Sequence, residues 1–199
     1  MEKKTKIIIA IASILGIGVS VFLIVKARRK NAKSNNGDSK SKSSDVDKTK
    51  NYVIGDSQTP LIDKNSQKVT TIGAEGEASL WKGSMGLKWL KNAVDAYQES
   101  KDVNSIVINI GTNGGFSTSD DIQGLVTSVK TKFPNAQLYV VKGSWGWANN
   151  ANVTEQQVNA YYDKFKQLGV SVIPTAIGVT NNPHNNIPSY AKIGSEIDS

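Results

Sequence analysis

The sequence predicts an α/β fold, a three-layer sandwich with a mostly parallel five-stranded sheet covered by helices on both faces. Two observations predict it. After Asn51, short β-branched runs alternate with stretches whose apolar residues recur at helical spacing. Strands that alternate with helices pair in parallel, because each crossover helix returns the chain to the same end of the sheet. At 199 residues the chain has room for one such domain plus accessory segments.

The first element is an apolar segment. From Ile7 to Val25 the chain reads IIIAIASILGIGVSVFLIV, nineteen residues without a charge. At about 1.5 Å per residue, such a helix just spans a hydrocarbon layer of about 30 Å. A cleaved secretory signal is the competing reading, with Lys3, Lys4 and Lys6 as its basic start. Two features oppose it: the run exceeds the usual signal core of about 7–15 residues, and Arg28, Arg29 and Lys30 follow at once. Residues 1–29 are therefore expected to form a single-pass membrane anchor with basic flanks. Lysines and arginines on both sides leave the side of the membrane open, although the larger cluster after the segment slightly favours a cytoplasmic C-terminal side.

Residues 30–50, KNAKSNNGDSKSKSSDVDKTK, contain almost no side chain able to build a core, so a disordered linker is expected there. A flexible chain of about 25 residues has an end-to-end distance of about 25–30 Å, which would keep the following domain close to the membrane.

The net charge of +7 is misleading as a sum. Residues 1–50 carry twelve of the 24 basic and four of the 17 acidic side chains, a net of +8, whereas residues 51–199 have a net of −1. The folded part is nearly neutral, so nucleic-acid binding is not expected. Without cysteine and with a single histidine, neither disulfides nor a protein-built transition-metal site is expected, and no cofactor is called for.

Within residues 51–199 the strands are expected at Tyr52–Gly55, Lys68–Ile72, Ser105–Ile110, Gln137–Val141 and Val170–Pro174. Three helices lie between the later ones. The first aligns Leu87, Leu90, Val94 and Tyr97 on one stripe, and the second Ile122, Leu125, Val126, Val129 and Phe133. A third carries Val158, Tyr161, Tyr162, Phe165 and Leu168; Thr154 and Gln157 stand in capping-box spacing at its start and Gly169 at its end. A short terminal helix carries Tyr190, Ile193 and Ile197.

Ligands of such sheets bind at the carboxyl ends of the strands, so the residues just after each strand are the candidates for chemistry. Ser57 follows the first strand in Gly55-Asp56-Ser57-Gln58. Gly83, in Lys82-Gly83-Ser84-Met85-Gly86, precedes a helix whose unpaired N–H groups can hold an anion. Asn113, in Gly111-Thr112-Asn113-Gly114, follows SIVINI and offers an amide donor. His184 follows the last strand in Asn181-Asn182-Pro183-His184. Each alone has a plain structural reading as a cap, turn or incidental residue. Their conjunction, in this order in an α/β pattern, suits a serine nucleophile activated by a histidine base.

These four segments resemble the blocks of the SGNH, or GDSL-like, hydrolase superfamily over roughly Tyr52 to the C-terminus. The resemblance implies a flavodoxin-like SGNH fold and an esterase. It makes Ser57 the nucleophile and His184 its base, with an oxyanion hole formed by the Ser57 N–H, Gly83 and Asn113. Gly86 is a second candidate for the glycine. Two positions depart from the family pattern: Gly114 stands where an acid is usual, and Asn181 where an aspartate orients the histidine. Asn181 would then accept the ring N–H.

Trp145 and Trp147, after the fourth strand, would suit stacking on a sugar ring, which points to an acylated glycan as substrate; core packing is the alternative for both. The function expected is a membrane-anchored serine esterase or deacylase. The competing function is a catalytically inactive SGNH-like module that binds glycan or serves as structure in a cell envelope or virus particle.

Overall fold

The structure, a computed structural model, describes residues 50–76, 79–111, 113, 116–117, 119–147, 150–179 and 182–199. The expected membrane segment and nearly all of the expected linker lie outside the described residues. Among the described residues no helix is long and apolar enough to cross a membrane.

Five strands form one parallel sheet: β1 (Asn51–Gly55), β2 (Thr70–Thr71), β3 (Ser105–Asn109), β4 (Gln137–Trp145) and β5 (Ser171–Val179), in the order β2-β1-β3-β4-β5. Helices α1 (Thr59–Asn65), α2 (Leu87–Ala96), α3 (Ile122–Lys132), α4 (Glu155–Gln167) and α5 (Ile187–Asp198) flank it. Side chains alternate across a strand, so the four longer strands feed two cores. Ile54, Ile106, Ile108 and Val140 pack with Leu90, Val94, Leu125, Val129, Tyr162 and Phe165 of α2, α3 and α4. Val53, Val107, Val141 and Ile173 pack on the opposite face with Ile62 of α1 and Tyr190 and Ile193 of α5.

The three helical stripes fold as the spacing predicts, and both reciprocal bonds of the Thr154–Gln157 capping box are present. The first and third strands differ from expectation by one residue, and three strands differ by more. The second strand is cut to Thr70–Thr71 because the Lys68 and Val69 N–H groups are taken by the Ser66 hydroxyl, and Lys68 N–H also by the Asp198 carboxylate, before the ladder begins. The fifth runs past Pro174 to Val179, since the register shifts opposite the Val141/Lys142 step: Ile173 faces Val141 and Ala176 faces Lys142. A bulge on an edge strand absorbs a proline that has no N–H to give. Glu196 of α5 accepts the displaced Thr175 N–H and hydroxyl at 3.0 and 2.6 Å. With β5 prolonged, β4 keeps its partner as far as Trp145. The sequence reading also missed α1, which has only seven residues and so too few turns to show a periodic stripe.

The close seat of α5 on α1 depends on Gly194, where a Cβ would overlap the backbone carbonyl oxygen of Asn65. Neither helix backbone can yield cheaply. Gly194→Ala should therefore destabilise the fold by about 2–3 kcal/mol, read as a lower urea midpoint with an unchanged slope; an unaltered midpoint would mean that the two helices part without cost.

Chain order in the sheet reverses between β1 and β3, because β2 lies on one side of β1 and β3 on the other. The crevice at the carboxyl ends of these two strands is the switch point, where α/β sheets bind ligands.

Candidate active site

β1 ends at that crevice in a turn shaped by Asp56. Its carboxylate is buried and accepts the Gln58 N–H at 3.0 Å and the Asn109 side-chain amide at 3.2 Å, while its own N–H donates to Asn109 O at 3.1 Å. Gly55 allows the close approach: φ is +146°, and a Cβ there would overlap Asn109 O. Asp56 thus bends the chain and ties it to β3, leaving Ser57 half-buried at the sheet's edge.

The other end of the site comes from the chain after β5. Asn182 starts a 3-10 turn over Pro183–Asn185, its side-chain oxygen accepting the His184 N–H at 3.1 Å. The turn directs His184 back across the sheet, with Nε2 2.8 Å from Ser57 Oγ and Nδ1 3.0 Å from Asn182 Oδ1. These contacts settle the tautomer by elimination. A backbone N–H can only donate, so the Asn182 atom facing it is the carbonyl oxygen. That oxygen can only accept, so Nδ1 carries a ring proton, and in the neutral imidazole Nε2 then presents its lone pair to the Ser57 hydroxyl. Gln58 Nε2 approaches the same hydroxyl at 3.5 Å, the outer limit of a hydrogen bond.

Gly83 reaches the site because residues 80–82 run beside the end of β1: Gly55 N–H donates to Leu80 O at 2.9 Å and Lys82 N–H to Gly55 O at 3.1 Å. A Cβ on Gly83 would lie 3.9 Å from Ser57 Cβ. In this structure the Gly83 N–H donates to Glu75 Oε1 at 2.8 Å. Gly86, the alternative glycine, caps α2 and lies against the backbone of Asn113, whose oxygen would be 3.1 Å from an added Cβ. Asn113 is tied to the same loop by its side-chain amide, which donates to Met85 O at 3.2 Å. Ser57, Gly83 and His184 therefore come together, and Asn113 is joined to them through the Gly83–Gly86 loop. Asn181 and Gly114 lie outside the described residues; the Nδ1 partner that the structure supplies is Asn182, one position after the residue expected.

Two buried side chains hold the backbone of Ile110 and Gly111, just before Asn113. The Tyr162 hydroxyl donates to Ile110 O at 2.6 Å and accepts the Gly143 N–H at 2.7 Å, and burial pushes its phenol well above the usual range, so it stays a donor. The Asn150 side-chain amide bridges Gly111 O and Ser144 O at 2.9 and 3.0 Å. Sequence reasoning read Tyr162 as core and passed over Asn150, Asn182 and Glu75. Only Asn182 had a local signal: an Asn before Pro is a typical helix start, with its side chain free to cap.

Trp145 packs against the core, as in the alternative reading of that residue, and Trp147 is half-buried. A cavity of about 590 Å³ beside Asn113 is lined by Gly86, Trp89, Asn92, Asn113, Asp120 and Tyr161 among others, but not by Ser57, Gly83 or His184; Trp89, which like Trp145 packs partly against the core, had not been singled out from the sequence. Among the described residues no group of three or more histidine, aspartate or glutamate side chains could hold a metal ion.

No family model matches this sequence, and no curated protein sequence matches it. Among solved structures, that of an active site mutant of a family two carbohydrate esterase from Clostridium thermocellum, in complex with celluohexase, aligns with a TM-score of 0.36 and 15% sequence identity. The alignment covers 74% of this chain and 61% of that one, so this chain spans less than two thirds of the neighbour's length.

Proposed function

We propose that the protein is a serine esterase of the SGNH type that removes acyl groups from a glycan. The observation that carries this reading is the Ser57 Oγ to His184 Nε2 contact of 2.8 Å, with the ring oriented by Asn182 so that Nε2 is the base.

In the proposed reaction Ser57 Oγ attacks the ester carbonyl as its proton passes to His184 Nε2. The oxyanion is held by the Ser57 and Gly83 N–H groups and the Asn113 amide, donors set to meet charge as it develops. Collapse expels the alcohol with the proton from His184, and water then attacks the acyl-serine with the same base. The cavity beside Asn113 would take the glycan, with the Trp89 indole offering an apolar face to a sugar ring and Asn92 and Asp120 offering polar contacts. In the same reading, residues 1–29 anchor the protein in a membrane and residues 30–50 tether the domain, 51–199, near that surface.

A second reading is favoured by one observation, the amide in place of a carboxylate at Nδ1: an inactive SGNH-like domain used to bind glycan or as structure. Reaction with a fluorophosphonate probe separates the two. Stoichiometric labelling that disappears in Ser57→Ala is expected; folded protein that takes up no label supports the binding module.

A further inference from the structure

The Gly83 N–H required for the oxyanion already has an anion on it. Glu75 Oε1 accepts it at 2.8 Å, and a Cβ built on Gly83 would meet that oxygen at 2.8 Å and Ser57 Cβ at 3.9 Å, so the carboxylate and the nucleophile flank the same point. Glu75 is exposed, and among the described residues its carboxylate has no other hydrogen bond and no ion pair. No cation among the described residues forms an ion pair with it.

This arrangement discriminates between substrates by charge. An oxyanion donor attracts a carboxylate for the reason it attracts the reaction's own oxyanion, so an incoming ester carbonyl has to displace Glu75. A neutral acyl group offers the displaced carboxylate nothing in return, and an anionic one repels it. An ammonium on the α-carbon does the reverse. It sits two bonds from the carbonyl carbon and beside the carbonyl oxygen, so a carboxylate moved aside by about one oxygen diameter meets it directly and makes a charge-assisted bond.

We propose that Glu75 is a specificity-determining residue that occupies the Gly83 N–H in the free protein and yields it to esters whose acyl group carries an ammonium, that is, to aminoacyl esters. The inference rests on the esterase reading of Ser57, His184 and Gly83, and adds to it the chemical class of the acyl group.

The test compares alanyl, propionyl and succinyl esters of one alcohol with the full-length protein in detergent, for wild type and Glu75→Gln. Glutamine keeps the shape and an acceptor for Gly83 while removing the charge. The alanyl ester is intrinsically more reactive, so the decisive quantity is the alanyl-to-propionyl ratio of kcat/KM in one protein divided by that in the other, where intrinsic reactivity cancels. The ratio is expected to fall about tenfold in Glu75→Gln, while succinyl turnover rises. A ratio that is the same in both proteins overturns the proposal. If no ester is turned over but Ser57 still takes the fluorophosphonate label, the proposal is overturned and the serine-hydrolase reading stands; if Ser57 takes no label, both fall.

Discussion

His184→Gln is expected to lower kcat/KM for ester hydrolysis by about 10³-fold or more, the scale on which loss of a base that acts as a unit with its nucleophile is felt. The expectation follows from the proposed mechanism and from the fact that His184 is the only histidine in the chain, so no second imidazole can substitute. Its Nε2 is the group 2.8 Å from Ser57 Oγ, and a glutamine amide there can accept a hydrogen bond but cannot take a proton at neutral pH. KM should change little, because the ring contributes to the transition state and not to glycan binding. The measurement is a kcat and KM comparison at neutral pH, with Ser57→Ala as the blank. Activity within tenfold of wild type would remove His184 from the mechanism.

Substitutions at Asn182 are expected to move activity in opposite directions. Asn182→Ala removes the oxygen that holds both the His184 N–H and Nδ1, so the 3-10 turn and the tautomer are released together; a fall of about 10²-fold is expected. Asn182→Asp keeps an acceptor for both donors and adds a negative charge beside the imidazolium that forms when Ser57 loses its proton. A tenfold gain in kcat/KM, about 1.4 kcal/mol of transition-state stabilisation, is the expected scale. In a serine protease triad the change from aspartate to asparagine costs about 10⁴ because it leaves the wrong tautomer. Here the His184 backbone N–H orients the amide oxygen toward the ring, so the proper tautomer is retained and only the charge is missing. If Asn182→Ala and Asn182→Asp both leave the rate of wild type unaltered, the ring is oriented by another group.

The fold was legible wherever a pattern repeats. The stripes Leu87–Tyr97, Ile122–Phe133 and Val158–Leu168 each recur over two or more turns, and Leu90, Val94, Leu125, Val129, Val158 and Phe165 at their centres are buried as the spacing requires. What was not legible depended on side chains distant in sequence. The second strand starts late because Asp198, 130 residues away, takes the Lys68 N–H, and the fifth continues because Glu196 satisfies the bulge at Thr175. A window of ten residues contains neither partner.

The candidate site divides in the same way. By itself the sequence determined the α/β class and the order in which the candidates Ser57, Gly83, Asn113 and His184 follow one another, because a strand's end and the turn after it are local features written in a few adjacent residues. Only the tertiary structure decided which groups meet. The 3-10 turn places Asn182, and not a residue chosen by a three-residue spacing, on His184 Nδ1; strand β1 and the 80–82 segment bring Gly83, with Glu75 on its N–H, beside Ser57. Spacing along the chain sets the direction of a side chain only within regular structure. Where loops from different strands converge, the partner of each hydrogen-bonding group is set by the three-dimensional path, and a buried or half-buried donor takes the acceptor that the fold delivers to it.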